Sequence, residues 1–547
     1  MDLTTPRNVD ADVLVIGSGT AGIRAAIAAR THDVDVLLAS ESPVGFRSNS
    51  AISRAVFATA GVWSEAGDSP ETHLQDILSG GRLVNDSGLA AIMTQGIRQQ
   101  VDDLAGFGVD LVRRQGRLRV GRAPGHSFPR HVSAAANRGI NITRPMRHYA
   151  ARIGVRFLEG VLVTRLLRDD DRIVGALAID ARGQAFVICA RSTILATGGA
   201  GRTYLRTNNA VGSTGDGYAL AYHAGAVLRD MEFVQFYPTG RGKDGSKMCF
   251  YEGLLPLGAT IRNSLGEDIL AKHGLSDFSL VTRDRLARTI MQEVAEGRGV
   301  DGNVVFDLTT VPEDRAAALG VARQMSQGLV LDRVPVAPTV HFFMGGVSIN
   351  GNAETGVAGL YAAGEVCGGL HGANRLGGNA ISETLVFGTI AGNRAAAAAG
   401  TGSVPAPESE VRAGVEEIRE LAAGRRAESL ERVWDSLRQT MWDRVGVIRD
   451  EQGLANARRE ISAVREQLQA ASVADGRGLL QAAKLDKTLT VAEMICRAAL
   501  MRTESRGAHY RRDYAGEDNE RWLKTIEIRR HDDEMVLTAV ALTVPQT

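Results

Sequence analysis

The chain has 547 residues, of which 44% are hydrophobic and 23% are charged, so it is too long for one hydrophobic core and should divide into two to four domains. Lys and Arg together number 63, as do Asp and Glu together, and the resulting zero net charge provides no overall attraction to nucleic acid or to an acidic membrane surface. Recognition must therefore depend on local sites, and no nucleic-acid partner is expected.

The first apolar run, residues 11–16, is far too short for a signal-peptide core or a membrane span. We therefore expect a cytoplasmic chain that is not inserted in a membrane. The four cysteines are scattered and lack the spacing of ligands for zinc or an iron–sulfur cluster. No metal site is expected, and any redox centre should be an organic cofactor.

A compact βαβ unit is predicted near the start, with an apolar strand at 11–16, an alanine-rich helix at 21–30 and a second strand at 34–39. Residues 17–22 fit the G-x-G-x-x-G pattern between strand and helix, where the first two glycines admit a pyrophosphate and the third lets helix and strand pack. A tight turn without a ligand is the structural alternative. The usual acidic residue after the second strand is missing, and either Ser40 or Glu41 is a candidate to meet the ribose.

Two further glycine-containing segments, residues 196–201 and 360–365, each follow or contain a short apolar strand, which favours the long cofactor FAD over NAD. The composition changes from about residue 231 to 340, and a polar, periodic region from 408 to about 502 is typical of a helix bundle. The expected fold class is α/β, with a Rossmann-like FAD-binding domain, an inserted α+β capping domain and a C-terminal helical domain. The predicted limits are 1–235 with 341–400 for the FAD-binding domain, 236–340 for the capping or substrate domain, and 401–547 for the helical domain with a short tail.

The order of these motifs resembles the flavoprotein family of succinate dehydrogenase, fumarate reductase and L-aspartate oxidase, to which adenylylsulfate reductases are related. The match extends over nearly the whole chain. Its most specific segments are residues 214–217, 232–239, 282–284, 341–346, 371–379 and 504–511.

The resemblance implies an FAD-dependent oxidoreductase that transfers a hydride between flavin N5 and a carbon next to a carboxylate. It implies that His341 and Arg375 bind the substrate carboxylate, that Arg283 donates or accepts a proton with Glu252 as relay, and that Tyr237 shapes the far end of the pocket. A planar guanidinium suits a carboxylate, and an imidazolium would add a second charge-assisted donor. Without the family match, Arg283 would be interpreted as a surface ion pair or cap and His341 as a core histidine. The implied cofactor-binding residues are Gly17, Gly19, Thr20, Ala21, Gly22, Ser40, Ser48, Asn49, Thr197, Gly198, Asp216, Glu365, Asn379 and Ser382.

The chain departs from the family pattern at three places. Asn49 stands where respiratory members carry the histidine of the covalent flavin linkage, so FAD should be non-covalent. Tyr237 replaces a histidine before Pro-Thr, and Leu255 replaces a relay arginine, with Leu257 in place of an acid. These changes predict an apolar wall in the far half of the pocket and poor activity with fumarate and succinate.

Two alternatives remain open at this stage. One is an amino-acid oxidase similar to L-aspartate oxidase, although Ala123 stands where that enzyme usually has an acid. The other is a flavoprotein subunit that only transfers electrons within a larger complex. The expected partners are a small carboxylate substrate and a separate iron–sulfur or other electron-transfer subunit. A basic stretch from Arg113 to Arg130 is predicted to be a solvated face, or else a rim for an anionic substrate or partner.

Overall fold

The computed structural model describes residues 6–61, 67–278, 281–400, 404–423 and 429–542, and a mixed sheet forms the centre of its first part. The elements of this part are β1 (Arg7–Ile16), α1 (Thr20–Arg30), β2 (Val36–Ser40), α2 (Asn49–Ile52), β3 (Val56–Ala58), α3 (Pro70–Gly80), α4 (Ser87–Gly106), β4 (Arg113–Arg114), β5 (Arg117–Leu118), β6 (His131–Ser133), α5 (Ile140–Arg152), β7 (Arg156–Glu159), β8 (Val161–Asp169), β9 (Arg172–Asp180), β10 (Ala185–Leu195), α6 (Asp216–His223) and β11 (Leu228–Arg229). The sheet has the order β7-β2-β1-β10-β9-β8, and the later strand Leu360–Ala362 also pairs with β10.

The carboxyl ends of β1 and β10 lie side by side because the two strands pair in parallel, with Val13 opposite Ser192. This register brings Gly17, which follows β1, against Ala196, which follows β10. A Cβ atom on Gly17 would lie 2.1 Å from the carbonyl oxygen of Ala196, and Gly17 has a φ of 129° that favours glycine. Both glycine-rich turns therefore meet at one edge of the sheet, where open α/β sheets bind ligands.

The capping domain is an antiparallel sheet with helices on it. Its elements are β12 (Val234–Arg241), β13 (Lys247–Met248), α7 (Tyr251–Leu254), β14 (Thr260–Arg262), α8 (Ile269–Lys272), α9 (Arg283–Ala295), β15 (Val304–Asp307), α10 (Ala316–Met325) and β16 (Arg333–Phe343). The sheet order is β13-β12-β16-β15-β14, and it has an apolar core of its own that includes Ile261, Leu286 and Phe306. Strands β12 and β16 pair with each other and extend outside the predicted limits 236 and 340, so the two domains share them.

The chain then returns to the first sheet and continues into a helical region. The remaining elements are β17 (Gly346–Val347), β18 (Leu360–Ala362), α11 (Asn379–Ala399), α12 (Glu408–Ala422), α13 (Leu430–Arg444), α14 (Glu451–Ala470), α15 (Gly476–Met501), α16 (Asn519–Trp522), β19 (Lys524–His531) and β20 (Glu534–Ala541). Helix α11 packs closely on α1, because a Cβ atom on Gly392 would lie 2.2 Å from the carbonyl oxygen of Ala25. Within the described ranges, no helix combines the length and apolar character needed to cross a membrane.

The end of the chain differs from the predicted short tail. Strands β19 and β20 form a hairpin that joins β11 and β17 in a second sheet, with Leu228 opposite Ile528. Buried ion pairs hold this junction: Arg502 Nε lies 2.6 Å from Glu232 Oε1, and Arg506 Nε lies 2.7 Å from Glu504 Oε1. The motif at 504–511 thus helps to attach the C-terminal region to the rest of the chain. Sequence periodicity could not reveal this pairing, because its partner strand lies far away along the chain.

Candidate functional site

An elongated cavity follows the carboxyl edge of the first sheet and continues beneath the capping domain. The glycine-rich turn after β1 lines one end. Five residues predicted to act on the substrate line the other end: Tyr237, Glu252, Arg283, His341 and Arg375. The tertiary structure therefore brings together side chains from both domains around one continuous space.

Most of the residues predicted to bind the cofactor also line this cavity. They are Gly17, Gly19, Thr20, Ala21, Ser40, Ser48, Asn49, Thr197, Gly198, Asp216 and Glu365. Three others lie outside the lining. Gly22 packs α1 against the turn, since a Cβ atom there would lie 2.0 Å from the carbonyl oxygen of Gly17. Ser382 Oγ donates a 2.7 Å hydrogen bond to the carbonyl oxygen of Ala58, and Asn379 Oδ1 lies 3.0 Å from His73 Nε2. These three residues support the site from behind because their space or polar atoms are taken up by neighbouring protein.

Polar atoms in the cofactor end suit a polar ligand such as FAD. The hydroxyl oxygens of Thr20 and Thr197 and the Oδ1 atom of Asp216 are buried, with no hydrogen-bond partner among the described residues. Leaving such atoms unsatisfied costs free energy, so a ligand with hydroxyl, phosphate and ring polar groups would stabilise them. The first turn of α1, which begins at Thr20, adds backbone N–H groups that favour a phosphate.

Ser40 and Glu41, the two candidates for the ribose, both line the cavity but have different neighbours. The hydroxyl of Ser40 donates a 2.7 Å hydrogen bond to the carbonyl oxygen of Ser42. The carboxylate of Glu41 forms an ion pair with Lys484 of α15. The helical region therefore contributes directly to the wall of the cofactor end.

Asn49 is held by hydrogen bonds at both ends of its amide. Its Oδ1 accepts from the backbone N–H of Ala210 at 2.8 Å and from the Ser213 hydroxyl at 3.1 Å, and its Nδ2 donates to Glu365 Oε2 at 3.2 Å. Burial raises the pKa of Glu365 to about 7, although the hydrogen bonds from Asn49 and from the backbone of Phe343 oppose this shift. An amide held in this way has no free imidazole-like nucleophile, so nothing at position 49 is suited to a covalent bond with a flavin.

A single amide oxygen positions the two arginines at the substrate end. Gln235 Oε1 accepts one hydrogen bond from Arg283 Nη1 and another from Arg375 Nη2, each of 3.0 Å. Gln235 Nε2 in turn donates to Asn374 Oδ1 and to the carbonyl oxygen of Arg375, each at 2.9 Å. Sequence reasoning placed Gln235 within a motif but did not identify it as a site residue. Its role depends on contacts between β12 and a loop that is distant in sequence.

Glu252 lies between Arg283 and Tyr237. Arg283 Nη2 is 3.5 Å from Glu252 Oε1, and the Tyr237 hydroxyl donates a 2.6 Å hydrogen bond to Glu252 Oε2. All three side chains are largely or fully buried. The arrangement gives a carboxylate in direct contact with the arginine that begins helix α9, which is the geometry that a proton relay requires.

His341 is a neutral imidazole in this site. Burial, and then the charges of Arg283 and Arg375, lower the pKa of His341 well below its usual value. Its Nδ1 lies 3.1 Å from Asn208 Oδ1, which fixes the ring. The expectation of an imidazolium is therefore wrong in the absence of a bound anion, because two neighbouring arginines already occupy the buried site.

The far end of the cavity is not the apolar wall that the sequence predicted. Leu255 and Leu257 pack against the core of the capping domain, and neither lines the cavity. The lining there instead includes Phe250 and Arg54, and the guanidinium carbon of Arg54 lies 3.4 Å from the centroid of the Phe250 ring. Sequence reasoning missed Arg54. The available signal was one basic residue between Ala51 and the buried strand β3.

The basic stretch divides into three groups. The residues from Arg113 to Arg119 belong to the exposed β4–β5 hairpin and its margins, as expected for a solvated face. Arg122 lines the cavity, as its rim. Arg130 is fully buried and forms ion pairs with Asp68, at 2.7 Å, and with Asp76.

Three buried histidines support the loop that carries Arg375. The rings of His73 and His126 are 5.6 Å apart, and those of His126 and His131 are 5.4 Å apart. The Nε2 atoms of His126 and His131 lie 2.8 and 2.9 Å from the carbonyl oxygen of Gly377. Burial lowers the pKa of His73 to about 4 and those of His126 and His131 to about 3, so all three are neutral at physiological pH.

Comparison with known proteins gives this site its family. The family model described as FAD binding domain matches residues 12–381, and the model described as fumarate reductase flavoprotein C-term matches residues 434–546. The chain belongs to the fumarate reductase and succinate dehydrogenase flavoprotein family. The resemblance inferred from the motifs is therefore confirmed.

Relatives of this flavoprotein match it over almost their full length. It is 34% identical to a fumarate reductase (CoM/CoB) subunit of Methanothermobacter marburgensis over 536 residues, covering 95% of this chain and 97% of that protein. It is 35% identical to a fumarate reductase flavoprotein subunit of Mycobacterium tuberculosis over 562 residues, covering 95% of each. A mutant form of E. coli quinol fumarate reductase FrdA has the same fold, with a TM-score of 0.91 at 28% identity over 99% of this chain and 98% of that chain.

The predicted fold class is confirmed by these matches, and so is the prediction of an FAD-dependent oxidoreductase. FAD is the cofactor of this flavoprotein. The residues that would hold it are those of the cofactor end, where unsatisfied polar atoms and the first turn of α1 meet.

Proposed function

We propose that this flavoprotein oxidises or reduces a carbon–carbon bond next to a carboxylate, with Arg283 as the proton donor or acceptor. The observation that carries the proposal is the contact of Arg283 with Glu252, at 3.5 Å, inside the wall of the cavity that continues from the cofactor end. When bound, FAD supplies or accepts the hydride. The protein then has to hold the substrate and move one proton.

Movement of the proton depends on Glu252. A guanidinium alone gives up a proton with difficulty, since its ordinary pKa exceeds about 12. A carboxylate in contact with it can return the proton after each turnover, and the hydrogen bond from Tyr237 keeps Glu252 Oε1 turned towards Arg283. Arg283 and Glu252 thus act as donor and relay.

Arg375 and His341 are the proposed ligands of the substrate carboxylate. Arg375 is buried, lines the cavity, and has an Nε atom with no partner among the described residues. A carboxylate there would satisfy this donor and would favour protonation of the neighbouring His341. Gln235 holds the guanidinium of Arg375 in register with that of Arg283.

The alternative of an amino-acid oxidase has less support. An amino acid brings an ammonium group, which requires an acceptor with free capacity in the cavity. Ala123 lines the cavity without a charge, and Glu252 already accepts hydrogen bonds from Tyr237 and Arg283. The site therefore offers an ammonium group no acidic residue at position 123.

We also propose that FAD is bound non-covalently, and that a separate electron-transfer chain exchanges electrons with this one. The partner rests on the names of relatives, which describe flavoprotein subunits of fumarate reductases. A cytoplasmic location remains a prediction from the sequence.

Anaerobic photoreduction of the bound flavin, followed by a panel of enoates and imino acids, tests the proposal. Reoxidation by an enoate with formation of the saturated acid is the expected result. Reoxidation by imino acids alone, with peroxide formed from an amino acid in air, would favour the oxidase. A flavin that reacts only with artificial one-electron acceptors would favour the electron-transfer subunit.

A further inference from the structure

Arg54 is a largely enclosed cation to which neither the sequence motifs nor the proposed proton relay gives a role. It follows α2 in the FAD-binding domain, lines the cavity, and stacks on Phe250 of the capping domain. Its Nε atom is buried and has no hydrogen-bond partner among the described residues. Burial lowers the pKa of Arg54, while the nearby Glu252 opposes this effect. The guanidinium therefore lies in the same part of the cavity as the proposed proton relay.

A buried guanidinium nitrogen without a partner is costly, so its place in a cavity wall indicates a ligand with a complementary charge. The charges nearby have the same implication. Three arginines, Arg54, Arg283 and Arg375, face one carboxylate, Glu252, because His341 is neutral. One substrate carboxylate would neutralise only part of the excess positive charge.

We propose that Arg54 binds a second carboxylate of the substrate, in addition to the one assigned to Arg375 and His341. This inference rests on the proposed function and specifies its substrate class as a dicarboxylate. It replaces the expectation of an apolar far wall, since the leucines behind that expectation lie outside the cavity and Arg54 lies within it. Arg54 thus provides a cation at the substrate end although a histidine and an arginine of the family pattern are absent.

Two other roles for Arg54 predict different behaviour. If the stack on Phe250 only holds the capping domain against the FAD-binding domain, loss of the charge should affect every substrate equally. If Arg54 instead contacts the flavin, its loss should shift the flavin midpoint potential without changing the affinity for dicarboxylates. A substrate pair that differs by one carboxylate separates these roles.

The test uses the holoenzyme as wild type and as Arg54→Met, Arg54→Lys and Arg117→Gln. Methionine keeps an unbranched side chain against Phe250 without the charge, and lysine keeps the charge without the planar fork. Arg117 is an exposed arginine of the β4–β5 hairpin and serves as the matched control. The measurements are kcat and KM for fumarate and for crotonate, a four-carbon enoate with one carboxylate, together with the flavin midpoint potential. The dissociation constant of succinate is measured from its effect on the flavin absorbance.

Loss of one charge-assisted hydrogen bond should raise the KM for fumarate and the dissociation constant of succinate about 10- to 150-fold in Arg54→Met. The crotonate parameters and the flavin content should stay close to wild type, and Arg54→Lys should recover part of the loss. Arg117→Gln should remain within about twofold for both substrates.

Equal losses with fumarate and crotonate, unchanged succinate binding in Arg54→Met, or no succinate binding by the wild type would each overturn the assignment. A change confined to the flavin potential would also overturn it. Failure of the wild type to reduce either enoate would refute the proposed function instead. In that case the comparison of succinate binding between wild type and Arg54→Met would still decide the role of Arg54.

Discussion

The hydroxyl group of Tyr237 donates a 2.6 Å hydrogen bond to Oε2 of Glu252. Burial, and then the charge of Glu252, raises the pKa of Tyr237 well above its usual value, so the phenol remains a donor at physiological pH. One oxygen of the carboxylate is thereby fixed, and the other faces Arg283. A residue that the sequence assigned to the far end of the pocket therefore orients the proposed proton relay.

Replacing Tyr237 with phenylalanine should lower kcat more than it raises KM. A lost hydrogen bond to a charged group is worth about 1.5–3 kcal/mol, which corresponds to roughly 10- to 100-fold in turnover. Steady-state kinetics with the best enoate of the panel would measure the effect. Tyr204→Phe is the control, because the Tyr204 hydroxyl donates to the carbonyl oxygen of Val445 outside the cavity. An equal fall in both variants would show that the Tyr237 contact is only structural.

Arg283→Lys should reduce turnover by roughly a hundredfold or more with little loss of substrate binding, because lysine keeps the charge but not the planar fork or its placement. The FAD content should not change, since Arg283 lies at the substrate end of the cavity. Stopped-flow measurement of flavin reoxidation would separate the chemical step from binding. Near-normal turnover would contradict the role of Arg283 in proton transfer.

Acidification should destabilise the protein through the three buried histidines. Their pKa values of about 4, 3 and 3 in the folded chain lie below the value of about 6.5 expected when unfolded, so the unfolded chain binds more protons between these limits. The stability contribution of the neutral rings is complete above pH ~6.5 and is lost as the pH falls towards the folded values. Each histidine contributes about 1.4 kcal/mol for each pH unit in this window.

His126→Gln should flatten this loss. Glutamine can still donate a hydrogen bond to the carbonyl oxygen of Gly377 but cannot be protonated. Denaturant midpoints of the holoenzyme between pH 7.5 and pH 5 would measure the slope. His531→Gln, at an exposed position of the terminal hairpin, is the control. If the His126 variant and the wild type lost stability in parallel, the acid sensitivity would have another source.

Acid precipitation should release all of the flavin from the polypeptide, because Asn49 has no nucleophilic ring nitrogen and its amide is fully engaged by neighbours. Absorbance of the supernatant and fluorescence of the denatured polypeptide on a gel would check this. Flavin fluorescence that stays with the polypeptide would show a covalent bond formed elsewhere in the cavity.

Local sequence patterns were sufficient for the first βαβ unit. The run of apolar residues before Gly17 and the alanine-rich segment after it predicted β1 and α1 closely, because both elements depend on short-range periodicity and on glycine in the turn. The motif order was enough for the family and for the five residues now found at the substrate end. Patterns of this kind lie within a few residues of each other and need no knowledge of packing.

The sequence by itself determined the cofactor class and the identity of the arginines and carboxylate that can move a proton. Only the tertiary structure decided which cations share the cavity, because this depends on contacts between segments far apart in the chain. Gln235 joins Arg283 to Arg375 across two domains, and Arg54 reaches the capping domain from a distant part of the sequence. Leu255 turned towards the core of the capping domain because burial of its side chain there removes apolar surface from water, which no substitution pattern along the chain could indicate.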